Sequence, residues 1–257
     1  MQPPSGTFIW YELNTGNSAA AQAFYGQVLG LSATPFADDG GYTLLSTPAG
    51  QVGGVMALPD NACDQHAKAG WVGYIGVEDV DATAQRIRAA GGTLLRDPWD
   101  IPGVGRLAVA ADPHGAVFLL IRGATEAPKP KVPAGTAGHI GWHELHAGEG
   151  QAAFAFYSAL FGWTKDQAVD MGPLGVYQTF CTGEGPADGG MMTRMPDTPH
   201  PFWLYYFNVA ALDPAIERVK RGGGQVLMGP HEVPGGRWIA QCVDPEGALF
   251  ALLAPHC

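Results

Sequence analysis

The chain has 257 residues, 46% of them hydrophobic, enough for two domains that each have their own core. Acidic residues outnumber basic ones, 24 to 14, and a net charge of −10 repels phosphate backbones, which argues against nucleic-acid binding. No apolar run approaches the roughly 18 residues that a membrane helix needs, and MQPPSGTFIW has neither the basic start nor the apolar stretch of a signal peptide, so neither a membrane span nor secretion is expected.

In chain order, residues 7–13 run or alternate apolar and read as a strand. NSAAAQAFYGQVLG (17–30) places Ala21, Phe24, Tyr25, Val28 and Leu29 on one face, with Asn17/Ser18 as start signals and Gly30 as stop, and this predicts a helix. Short strands are expected near 42–46 and 52–58, then a strand over WVGYIGV (71–77) and a helix over DVDATAQRIRAAGG (79–92). LAVAADPHGAVFLLI (107–121) reads as a hairpin that turns on Asp112-Pro113-His114-Gly115. GATEAPKPKVPAGTAG (123–138) is rich in Pro, Ala and Gly and cannot build a core.

The same order then returns. Trp10 recurs as Trp142, Glu12 as Glu144, Phe24-Tyr25 as Phe156-Tyr157, Trp71 as Trp203, and Asp112-Pro113-x-Gly115 as Asp244-Pro245-x-Gly247, each pair 132 positions apart. The register slips only around GGVM (53–56) and GGMM (189–192). A whole domain is duplicated, with boundaries expected at 1–124 and 138–257 around a linker at 125–137. Each copy reads as two βαβββ modules, an α+β plan with a curved mixed sheet around a cavity. Duplication implies that the halves pair as a pseudo-dimer. In copy two, Asp213-Pro214 reads as a helix cap with proline at the first helical position. Cys63, Cys181, Cys242 and Cys257 form no C-x-x-C pair, which fits a reducing cytoplasm.

The openings AFYGQVLGL and AFYSALFGW, the segment VEDVDATAQRIRAAGG, and the closings DPHGAVFLL and DPEGALFAL resemble the vicinal oxygen chelate superfamily. It includes glyoxalase I, extradiol dioxygenases and bleomycin-resistance proteins. The resemblance covers nearly the whole chain twice, and it implies a divalent metal held by His, Glu or Gln side chains facing the cavity. The matching positions here are Trp10, Met56, Val72 and Leu119 in copy one, and Trp142, Met192, Leu204 and Ala251 in copy two. None of these side chains is a good ligand for Zn²⁺, Ni²⁺, Mn²⁺ or Fe²⁺. No metal or other cofactor is therefore expected, although Glu144 with His146 remains an alternative donor pair.

Residues two apart in a strand share a face, so Glu12 lies on the face of Trp10, Glu144 and His146 on that of Trp142, and His143 opposite. Glu144 and His146 would lie about 7 Å apart along the strand, a spacing that suits an acid–base pair. Copy one offers only Asn14 where copy two has His146. The expected catalytic group is Glu12, Glu144 and His146. The expected ligand contacts are Trp10, Trp142, Trp71, Trp203, Arg106 and Arg237, the arginines pairing with a ligand anion or with Glu12 and Glu144. The function expected first is binding of a small organic metabolite or drug in a metal-free cavity of each domain. The competing readings are a diverged metal-dependent lyase, isomerase or dioxygenase, and an interaction protein whose cavities are filled by Trp and Met.

Overall fold

The structure, a computed structural model, describes residues 6–36, 41–58, 68–124 and 132–257. Cys63 and most of the expected linker, residues 125–131, lie outside that set. The first repeat runs β1 (Phe8–Thr15), α1 (Ser18–Leu29), β2 (Ser32–Pro35), β3 (Tyr42–Thr47) and β4 (Gly50–Ala57). It continues with β5 (Gly70–Gly76), α2 (Val80–Ala89), β6 (Thr93–Ile101), β7 (Gly105–Ala111) and β8 (Val117–Gly123). The second repeats the order with β9 (Ile140–Ala147), α3 (Gly150–Phe161), β10 (Thr164–Asp170), β11 (Val176–Cys181) and β12 (Gly189–Thr193). It closes with β13 (Phe202–Asn208), α4 (Leu212–Arg221), β14 (Gln225–Val233), β15 (Arg237–Val243) and β16 (Leu249–Ala254). Each repeat is thus βαβββ twice, an α+β architecture as the duplicated sequence predicts.

The strands form two eight-stranded sheets of identical plan, β2-β3-β4-β1-β5-β8-β7-β6 and β10-β11-β12-β9-β13-β16-β15-β14. Pairing is mixed. β1 runs parallel to β4 and β5 to β8, whereas β3–β4 and β7–β8 are antiparallel. The helix ends follow local chemistry. Asn17 caps α1 by accepting from Ala20 N at 3.1 Å, and Gly30 ends it at φ 73°, a left-handed conformation in which glycine has no Cβ to clash. Asp79 caps α2 in the same way as Asn17 caps α1.

The second helix of copy two departs from the reading of Asp213-Pro214. It begins at Leu212 after Ala211, which offers no side-chain cap, and Pro214 sits at the third helical position. That position also has no intrahelical partner for its N–H, so proline is tolerated there.

Two compact units emerge, and each draws one module from each repeat. One comprises Met1–Trp10, Val72–Lys129 and His143–Trp203; the other comprises Tyr11–Trp71, Pro130–Trp142 and Leu204–Cys257. Each unit is held inside by the same buried relay. In the second, Trp71 Nε1 donates to Tyr25 Oη at 2.9 Å, and Tyr25 donates to Asp244 Oδ2 at 3.1 Å. Asp244 Oδ1 in turn accepts the backbone N–H groups of Glu246 and Ala248, which closes the Asp-Pro-x-Gly turn. In the first, Trp203, Tyr157 and Asp112 repeat the pattern at 3.1 and 3.4 Å. Burial and the neighbouring Asp244 charge push the Tyr25 pKa up, so its hydroxyl stays protonated and donates.

Candidate functional site

A connected polar group gathers on β9 and β11 of the second repeat, inside the first unit. On β9, Glu144 and His146 share a face as the alternation requires. His146 Nε2 lies 2.8 Å from Glu144 Oε1. A carboxylate only accepts, so Nε2 carries the hydrogen and, in the neutral ring, Nδ1 keeps the free lone pair. Tyr177 on β11 donates to the other oxygen, Glu144 Oε2, at 2.9 Å. Glu144 is only 8% exposed, so these charge-assisted bonds replace water that the carboxylate has lost.

Glycine makes this arrangement possible. Gly190 on β12 pairs directly with Glu144, and a Cβ there would fall 2.2 Å from the Tyr177 ring. The phenol therefore lies flat on bare backbone, within reach of the carboxylate. From the other side Phe202 stacks on His146, with ring centroids 4.5 Å apart and planes 9° from parallel. Met192 pairs with His146 in the β9–β12 register. The result is a carboxylate–imidazole pair with a phenol at one end and an aromatic cover at the other. Such a set can hold a ligand hydroxyl or exchange a proton with it.

His143 points the other way, as expected. It stacks on Phe8 at 4.4 Å, its Nδ1 donates to Asp188 O at 2.8 Å, and burial pushes its pKa down. It is a structural residue.

The first repeat carries part of the same device, in the second unit. Glu12, 7% exposed, pairs with Gly54, and a Cβ at Gly54 would fall 2.3 Å from the Tyr42 ring. Asn14 stands where His146 does, and Gly70 where Phe202 does. The imidazole beside the carboxylate and the aromatic ring stacked on it are thus peculiar to copy two.

The tryptophans divide. Trp10 packs with Val72, Trp99, Ile101, Val104, Val109 and Ile121 onto a cluster of Tyr74, Leu107 and Leu119. Three positions where the resemblance places metal ligands, Trp10, Val72 and Leu119, therefore meet in an apolar cluster. Indole and aliphatic side chains do not fit a divalent ion. Among the described residues no three His, Cys, Asp or Glu side chains come together as a metal would require.

Trp71 and Trp203 pack inward. Both are buried against helices and hydrogen-bonded to Tyr25 and Tyr157, so they build the core and do not line the face that carries Glu144. They sit one residue before the ligand-matching positions Val72 and Leu204, and strand alternation turns them to the other face. Trp142 is half-buried on β9.

Arg106 is held by Asp81 and by Asp100, the latter at 2.9 Å. The Asp81 hydrogen bond raises the Arg106 pKa, and Arg106 lowers that of Asp81. Its charge is matched locally on the surface. Arg237 lines a cavity of about 80 Å³ with Gly135, Asn208, Leu253, Ala254 and Pro255. A larger cavity, about 240 Å³, lies between the end of α1 and Arg218 of α4. Neither cavity includes Glu144 or His146.

Sequence reasoning missed Tyr177 and Phe202. Tyr42 and Tyr177 both precede a Gly-Gly pair, but they lie outside the 132-residue register because the loops before them differ in length. Phe202 has no counterpart in copy one that could have marked it.

Similar proteins support the architecture. Anthracycline biosynthesis protein DnrV of Streptomyces peucetius is 33% identical over 264 residues, covering 96% of this chain and 93% of its own. CFP32 of Mycobacterium tuberculosis (strain CDC 1551 / Oshkosh), provisionally named a glyoxylase, is 30% identical and covers 97% of this chain and 95% of its own. Among solved structures, the Mn(II)-bound glyoxalase of Novosphingobium aromaticivorans superposes with a TM-score of 0.70 at 15% identity, over 98% of this chain and 83% of that one. Homoprotocatechuate 2,3-dioxygenase of Arthrobacter globiformis gives 0.68 at 13% identity, over 98% and 81%. At these identities the two structures share the fold. The family model of the Glyoxalase/Bleomycin resistance protein/Dioxygenase superfamily matches residues 7–120 and again 137–252, and the chain belongs to that superfamily.

Proposed function

We propose that this chain binds a small, planar, hydroxylated organic molecule at the Glu144–His146–Tyr177 group of the second repeat, without a divalent metal. The observation that carries the proposal is the bonded pair itself, a buried carboxylate and imidazole covered by Phe202, while the positions matched to metal ligands hold Trp, Val, Leu, Met and Ala. The kinship with a protein named for anthracycline biosynthesis supports an aromatic organic ligand. Copy one, with Asn14 and Gly70, serves as a scaffold in this reading. The free Cys181, Cys242 and Cys257 support a reducing cytoplasm as its location. Among the described residues no helix is long and apolar enough to cross a membrane.

The test is a thermal-shift titration of the chelator-treated full chain with 1,8-dihydroxyanthraquinone. A ligand at one hundred times its Kd stabilises the fold by about 2.7 kcal/mol, enough to raise Tm by several degrees. That rise should shrink sharply in Glu144→Gln and His146→Gln. An equal rise in wild type and in both variants would sink the assignment.

A second reading is favoured by the 2.8 Å Glu144–His146 contact, namely proton-transfer catalysis of the lyase or isomerase type. Glu144 would orient the ring so that Nδ1 takes a proton from the bound substrate. Turnover of a 2-oxoaldehyde–thiol adduct by chelator-treated protein, lost in His146→Gln, would establish it. Absence of turnover at any protein concentration would leave binding alone.

A further inference from the structure

Glu144 and His146 are both largely buried, so a ligand can reach them only if something on their surface moves. What covers His146 is Phe202, the first residue of β13, and residues 195–201 lead to it from the end of β12. Arg194 opens that segment. Its backbone N–H donates to Ala147 O at 2.8 Å, which continues the parallel pairing with β9 one residue past the strand. Its Nη1 donates to Thr198 O and, at 3.5 Å, to Met195 O, while Thr198 N closes a turn on Met195 O at 3.0 Å. Arg194 Nε is buried and makes no hydrogen bond among the described residues.

We propose that Arg194 is a positioning residue whose hold on residues 195–201 keeps Phe202 stacked on His146, making Phe202 the removable cover of the Glu144–His146 pair. The proposal rests on reading that pair as the binding site, but its test needs no ligand and so can fail independently. Stacking at 4.5 Å places the His146 ring protons in the ring current of Phe202.

The experiment is a proton–carbon correlation spectrum of the histidine rings in the full chain, with His146→Gln used for assignment. Phe202→Leu marks the unstacked position of the His146 signal. Arg194→Gln should move that signal most of the way there while the other histidines stay in place. Arg194→Lys, which keeps one donor for Thr198 O, should return part of the displacement. An unmoved His146 signal in Arg194→Gln, with Phe202→Leu displaced, overturns the proposal. If Arg194→Gln does not fold, hydrogen exchange on the wild type decides. The Thr198 amide should exchange many-fold faster than the β9 amides, and exchange together with β9 would mean that no separate cover exists.

Discussion

Tyr25 donates its buried hydroxyl to Asp244, 219 residues further along the chain, at 3.1 Å. A helix of the first repeat is thereby tied to the closing turn of the second, and Tyr157 ties the second repeat's helix to Asp112 of the first in the same way. The two tyrosines are the recurring Phe-Tyr residues, and the two aspartates open the Asp-Pro-x-Gly turns.

Tyr25→Phe should therefore destabilise the fold by about 1–3 kcal/mol, because it strands the Trp71 N–H and one Asp244 oxygen in a buried place. Tyr157→Phe should cost less, since its bond to Asp112 is longer, 3.4 Å against 3.1 Å. The two losses should add, because Trp71–Tyr25–Asp244 and Trp203–Tyr157–Asp112 have no residue in common. Urea unfolding midpoints measure this, and a Tyr25→Phe protein as stable as wild type would contradict it.

Glu149 caps α3 by accepting the N–H groups of Gln151 at 3.0 Å and Ala152 at 2.7 Å, and these bonds hold its pKa below the ordinary glutamate value. A carboxylate whose folded-state pKa is depressed stabilises the fold above its unfolded value, and that gain disappears as pH falls through the folded-state value. Glu149→Ala should cost about 1 kcal/mol at neutral pH, as caps do, and progressively less in acid. Paired melting curves of wild type and variant from pH 7 downward test it. A gap that widens in acid would be the wrong sign.

Gly190→Ala places a methyl within 2.2 Å of the Tyr177 ring. The phenol must leave Glu144, so the variant should weaken ligand binding about as much as Tyr177→Phe does. Gly54→Ala meets Tyr42 just as closely and should perturb stability while leaving ligand binding at wild-type strength. Calorimetric titration of both variants separates the copies. Equal losses in the two would mean that the repeats act alike.

The architecture was legible because duplication wrote it twice. The periodicity around Phe24-Tyr25 and Phe156-Tyr157, the glycine stops and the Asp-Pro-x-Gly turns all depend on local pattern, and the βαβββ order follows from them. The pairing of Glu144 with His146 on one face, and of His143 on the other, came from strand alternation alone. The hydrogen bonds of Trp71 to Tyr25 and of Trp203 to Tyr157 were not legible, because each joins a strand to a helix 46 residues away. Tyr177 and Phe202 stayed hidden because their meeting with Glu144 and His146 depends on pairing between distant strands, which no local pattern encodes. Asp213-Pro214 carried a strong start signal, but the helix starts before it, on a leucine that is fully buried.

The most direct test is calorimetric titration of 1,8-dihydroxyanthraquinone into the full chain, once with EDTA present and once with added Mn²⁺. The same Kd is expected in both, weakened about tenfold or more in Glu144→Gln, which removes a charged hydrogen-bonding partner. Binding that vanishes with EDTA, returns with Mn²⁺ and ignores Glu144→Gln would contradict it.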